Sequence, residues 1–141
     1  MQKEKIVALS LTSVLLVYLC LRAYYLPLVH DEAATFFHYI HTANYWPYLA
    51  HWDANNHIIN SALSSITFQL IGKSAFAIRL PNLVAFLLYA FYAYRISNQF
   101  TDKGIKWLCF IALITAQFVV EFFALSRGYG LSMAFLLAVI Y

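Results

Sequence analysis

Residues 6–21 read IVALSLTSVLLVYLCL, an apolar run with no charged side chain. Met-Gln-Lys-Glu-Lys precedes it and Arg22-Ala23-Tyr24-Tyr25 follows. A helix of about 20 apolar residues crosses a bilayer. A basic start and an apolar middle also describe a signal peptide, but no small-x-small cleavage site follows. An interfacial Arg and a pair of tyrosines close the run instead, which predicts a retained anchor helix over Ile6–Leu26. Pro27 ends it for want of a backbone N–H.

The rest of the chain has the same character. Of 141 residues, 63% are hydrophobic, 18% aromatic and only 11% charged, against about 25% charged in soluble domains. Mean hydropathy is +0.69. The expected class is an all-α, polytopic membrane protein with 4–5 transmembrane helices in a single module over 1–141. After the first span, further helices are expected at about Ile58–Ile71, Asn82–Ile96, Trp107–Leu125 and Leu131–Tyr141, with Lys73–Pro81 as a linker. The second is short and carries Asn60, Ser61, Ser64, Ser65, Thr67 and Gln69, polar groups expected to pack on protein rather than lipid. The last has eleven apolar residues, too few to cross a core of about 30 Å, so the chain is expected to be a truncated N-terminal portion. The net charge of +3 is small and scattered, which argues against a nucleic-acid surface. Cys20 and Cys109 sit alone in apolar runs and read as small buried hydrophobes.

Between the first two helices lies His30–His57, HDEAATFFHYIHTANYWPYLAHWDANNH. It holds all five histidines and half the acids and has no Lys or Arg. Asp31–Thr42 is expected to form an amphipathic juxtamembrane helix with Asp31, His38 and His41 near one face. Trp46, Tyr48 and Trp52 suit headgroup depth. Lys3 and Lys5 put the N-terminus in the cytoplasm and this loop outside. Arg95, Lys103 and Lys106 then fall outside if the second helix spans, and inside if it does not.

Four groups could carry chemistry. Asp31-Glu32 is either the acidic first turn of a helix or a general base at the mouth of an apolar site. Asp53-Ala54-Asn55-Asn56-His57 is either a polar loop with Asn55 or Asn56 capping the next helix or a sugar- or phosphate-binding loop. The His and acidic side chains are of metal-ligand type, so a divalent metal is possible, but no diagnostic ligand spacing occurs and no cofactor is expected. Arg79 and Arg127 are either snorkelling residues at helix ends or phosphate ligands.

In order along the chain, five segments resemble the N-terminal part of GT-C membrane glycosyltransferases of the group that includes protein O-mannosyltransferases and the lipid A aminoarabinose transferase. A first span precedes Asp31-Glu32. Asp53–Ile59 stands where the family has a His/Lys-Pro-Pro-Leu segment. Ile71-Gly72-Lys73-Ser74-Ala75-Phe76-Ala77-Ile78-Arg79-Leu80-Pro81 is similar to Phe-Gly-x-Ser-x-x-x-x-Arg-Leu-Pro. An aromatic span ends in Tyr94-Arg95, and Ser126-Arg127-Gly128-Tyr129-Gly130-Leu131 is similar to Arg-x-Tyr-x-Leu. The double proline is replaced here by Asn-Asn-His. Family members have about ten or more spans and a C-terminal domain.

The resemblance implies transfer of a sugar from a polyprenyl-phosphate donor to an acceptor hydroxyl of a lipid, glycan or protein, with inversion, on the outer face of the cell membrane. It makes Asp31 the base and Glu32 a neighbour that orients it or the substrate. Asp53, Asn55, Asn56, His57, Arg79, Arg127 and Tyr129 become substrate-binding residues. The 141-residue chain alone is expected to be inactive. Two other readings stand beside it: a small membrane protein that binds metal or carries protons through its His-rich loop, and an inactive fragment.

Overall fold

The computed structural model describes residues 2–141, and all its regular elements are helical. Helix α1 spans Gln2–Tyr25. A short α2, His30–Thr35, passes directly into a π-helical turn, Phe36–Ile40. Then come α3 (Ile58–Ile71), α4 (Ala75–Ser97), α5 (Lys103–Thr115), α6 (Gln117–Phe123) and α7 (Tyr129–Ile140). The loop between the π turn and α3 has no regular structure but is pinned at several points.

Two helices, α1 and α4, are long and apolar enough to cross a membrane, or three spans exist if α5 and α6 count as one bent by 47°. That is fewer than the four or five expected. Helix α3 has 14 residues and α7 has 12, so at 1.5 Å per residue neither bridges a core of about 30 Å.

Helix α4 is the hub, packing on α1, α3, α5, α6 and α7. Its small residues Ala77, Ala85, Ala90 and Ala93 are buried, as are Ala8 and Ala23 of α1. Small side chains let helix backbones approach closely, which matters where lipid offers no hydrophobic drive for association. Phe86 and Tyr89 of α4 meet Phe123 edge-on or tilted at 5.4 and 5.1 Å between ring centres.

Two boundaries and one cap differ from the expected ones for local reasons. Helix α4 starts at Ala75, well before Asn82, because the Ser74 hydroxyl caps it by accepting from Ala77 N at 3.2 Å. Pro81 lies inside that helix, where it removes one ladder donor. The expected single helix Trp107–Leu125 is broken at Ala116, whose ψ of 130° is extended. The Tyr89 hydroxyl donates to the Leu113 carbonyl at 3.0 Å beside that break. At α3 the N-cap is His57, with no side-chain cap. Asn56, an expected cap, instead donates to Tyr45 O and accepts from the Ser61 hydroxyl.

The two candidate spans run antiparallel. Arg79, early in α4, reaches the carbonyls of Ala23 and Leu26 at the end of α1. At the opposite end Lys106 Nζ pairs with Glu4 at 2.7 Å, and Lys5 and Arg95 line one groove. Leu28 lines one groove with Lys73 and Ser74, and His57, just before α3, packs on Gly128, two residues after Ser126, whose N–H donates to Glu32. The chain therefore enters and leaves α3 at one end of the bundle. This is the arrangement in which the second helix does not cross, so Lys3, Lys5, Arg95, Lys103 and Lys106 gather at one end and the loop at the other.

Candidate functional site

At the loop end, a buried polar assembly joins segments far apart in sequence. Glu32 and Arg79 are both fully buried. The guanidinium meets the carboxylate as a fork, Nε to Oε1 at 2.9 Å and Nη2 to Oε2 at 2.6 Å. Its other N–H groups donate to Ala23 O, Leu26 O and Pro27 O. An arginine has five N–H donors, and all five are taken. The carbonyls at an α-helix C-terminus lack intrahelical partners, so Arg79 also closes the end of α1. Glu32 further accepts from Val29 N and Ser126 N. Hence Glu32 faces Arg79 rather than solvent, and Arg79, expected to bind phosphate, has no N–H left for it in this conformation.

The assembly extends through Ser126. Its hydroxyl lies 3.1 Å from that of Ser64 and accepts from Asn60 at 3.4 Å. Asn82 donates to Asn60 Oδ1 at 2.8 Å and Leu125 O at 2.9 Å, and accepts from Leu131 N at 3.2 Å. Asn60 and Ser64 are one helical turn apart on α3, so they present one polar face. That spacing hinted at a buried contact, but nothing in the sequence named Asn82 and Ser126 as its partners.

Above this floor sits the accessible part of the site. Arg127 Nη2 lies 2.7 Å from Asp31 Oδ2, and both side chains are partly exposed. Arg127 also stacks over the Tyr129 ring at 5.0 Å, an arrangement in which the ring face attracts the cation. The His57 ring meets Tyr129 edge-on at 5.0 Å and packs on Gly128, where a Cβ would lie 2.5 Å from His57. Burial, and then the nearby Arg127 cation, hold His57 below the usual imidazole pKa.

From Gly128 an apolar groove leads away between α3, α4 and α7. Its first part, 280 Å³, is lined by His57, Asn60, Leu131 and Phe135 among others. The next part, 320 Å³, shares Leu131 and Phe135 and continues past Leu63, Val84 and Leu88.

Asp31, Glu32, His57, Arg79, Arg127 and Tyr129 are thus brought together. Asn55 joins them through its backbone, which accepts from the Thr35 hydroxyl at 3.3 Å. Asp53 and Asn56 line a second cleft instead, with Trp46 and Trp52. The histidines disperse: His30 contacts Asp31, and His38 stacks on His51 at 4.3 Å. The π turn interrupts the register between Asp31 and His38, and the two meet different partners. Among the described residues, no group of three or more His, Cys, Asp or Glu side chains is placed to hold a metal ion.

No family model, no curated protein and no solved structure matches this chain.

Proposed function

We propose that this chain forms the first-loop part of a GT-C-type glycosyltransferase that takes a sugar from a polyprenyl-phosphate donor on the outer face of the cell membrane. The observation that carries the reading is the Asp31–Arg127 pair, at 2.7 Å, in which Arg127 immediately precedes Gly128, a residue that lines the apolar groove. A carboxylate beside a cation, next in sequence to a residue of an apolar groove, suits a substrate with an anionic head and a hydrocarbon tail. The convergence of Asp31-Glu32, Arg79 and Ser126–Tyr129 also supports it, since these are segments on which the family resemblance rests. The clustering of Lys3, Lys5, Arg95, Lys103 and Lys106 at the far end supports a cytoplasmic N-terminus.

In this proposal Asp31 takes the proton of the acceptor hydroxyl. The acceptor oxygen then forms a bond to the anomeric carbon, and the anomeric C–O bond to phosphate breaks, its electron pair leaving with the polyprenyl phosphate. Attack opposite the departing phosphate inverts the centre. One carboxylate suffices because phosphate leaves without protonation, unlike the two-carboxylate scheme of glycoside hydrolysis. Arg127 turns from Asp31 to the phosphate, freeing the base as it binds the leaving group. Glu32 and Arg79 are positioning residues that hold α2 and the end of α1 in place.

Competition in lipid nanodiscs, read by native mass spectrometry, tests the proposal. Polyprenyl-phosphate sugar is expected to displace the polyprenol of equal length at least tenfold more effectively than the reverse. Equal retention of the two lipids overturns it.

A further inference from the structure

The loop's second cleft, of 340 Å³, is not used by the donor. Trp46, Tyr48 and Trp52 form its walls, and Asp53 and Asn56 supply polar groups. Tyr48 and Trp52 are almost wholly exposed, at 101% and 97%, yet the segment that carries them is held firmly. The Tyr39 hydroxyl donates to His51 O at 2.9 Å, Asn56 to Tyr45 O at 3.2 Å and Asn44 to Leu49 O at 3.1 Å. Tyr48 itself has φ of 69°, a left-handed conformation unfavourable to a bulky residue and found most often where function demands it.

We infer that this cleft binds an uncharged or amino-substituted sugar ring, stacked on an indole and hydrogen-bonded by Asp53 and Asn56. Indole and phenol rings give flat apolar faces for the C–H side of a pyranose, and a carboxylate and an amide give the acceptors and donors its hydroxyls need. The volume is at the low end of the roughly 300–1,000 Å³ of ligand sites, enough for one or two rings. Charge selects among sugars. Residues 30–57 contain no Lys or Arg, so the one side chain of this cleft able to offset Asp53 is His51, and the Asp53 pKa is lowered first by the backbone N–H of Asn55 and only later by His51. A phosphorylated or acidic sugar is therefore disfavoured.

Asn55, between the cleft residues Asp53 and Asn56, ties the loop to α2, since its carbonyl accepts from Thr35, one helical turn beyond Asp31. If the transferase reading holds, and only then, the bound sugar belongs to the acceptor, and the acceptor class is a glycan. Binding itself is measured without that reading. Exposed aromatics also insert into lipid headgroups, but the Asp53 carboxylate among these rings favours a hydrated sugar over a bilayer.

The test uses the Trp107→Phe chain in nanodiscs, which leaves Trp46 and Trp52 as its two indoles. Neutral and amino mono- and oligosaccharides are titrated against tryptophan emission, with sugar phosphates as the anionic comparison. A saturable change with Kd of about 1 mM or tighter is expected, weakened at least tenfold by Trp52→Ala and by Asp53→Ala, and weaker for sugar phosphates. The absence of a saturable change with every sugar, or binding indifferent to both substitutions, overturns the inference. So does quenching of these indoles by brominated lipid before sugar is added, which assigns them to the bilayer. Donor competition by polyprenyl-phosphate sugar is read separately. Loss of that competition alone removes the transferase reading, and loss of sugar binding alone removes the cleft.

Discussion

Arg79 grips Glu32 through two parallel hydrogen bonds of 2.9 and 2.6 Å, with both side chains sealed from solvent. The pair links α4 to α2, and through the carbonyls of Ala23, Leu26 and Pro27 it also fixes where α1 ends. Ser126, next to Arg127, is tied to the same clamp, because its N–H donates to the Glu32 carboxylate.

Breaking the clamp on one side leaves an unpaired buried charge. Glu32→Gln and Arg79→Met are each expected to destabilise the fold by about 3–5 kcal/mol. The double variant Glu32→Gln/Arg79→Met is expected to lose less than the sum, since removing the second partner removes the stranded charge. Thermal unfolding in detergent, followed by circular dichroism, provides the cycle. Additive losses contradict a coupled pair.

The two glycines of the Arg127 turn are tight for different reasons. A Cβ at Gly128 would stand 2.5 Å from His57 Cβ, whereas one at Gly130 would stand 2.6 Å from Asn82 Oδ1 and 3.1 Å from the Phe122 carbonyl. Overpacking of this kind costs about 1–3 kcal/mol. Gly128→Ala is expected to be rescued by His57→Gly, and Gly130→Ala to resist that rescue. Unfolding midpoints of the four variants check this pattern.

Sequence reading recovered α3 to the residue and the helical class, because long apolar runs have few alternatives. It placed Asp31-Glu32 at a helix start as well. It could not divide the work between them: which of two adjacent acids faces Arg79 and which faces Arg127 depends on the rotation of α2. Likewise, Ser74 as a cap and Pro81 within α4 were hidden by the habit of ending helices at proline. The break at Ala116 has no Gly or Pro to announce it. The Asn82–Asn60 and Ser126–Ser64 contacts span chain separations that no local pattern encodes.

The junction of His57 with Gly128 is expected to respond to pH. Burial first, and Arg127 second, push the folded-state pKa of His57 below the usual imidazole value of 6.5. Between the folded and unfolded pKa the unfolded state binds more protons, so stability falls as pH drops below 6.5 and levels off once the folded state is protonated too. Hydrogen exchange of the first turn of α3, corrected for intrinsic rate, should therefore be faster at about pH 5 than at about pH 7.5. His57→Gln should flatten that dependence. A pH response unchanged in His57→Gln would assign it elsewhere.

In the proposed reaction Arg127 exchanges Asp31 for the donor's phosphate. Phosphorus NMR of a polyprenyl-phosphate sugar titrated with the chain in nanodiscs measures this most directly. Arg127→Gln removes the cation and is expected to weaken binding about tenfold or more, corresponding to about 1.4 kcal/mol. Asp31→Asn removes the competing carboxylate and is expected to tighten it. Binding that is unchanged by Arg127→Gln, or weakened by Asp31→Asn, would contradict the account.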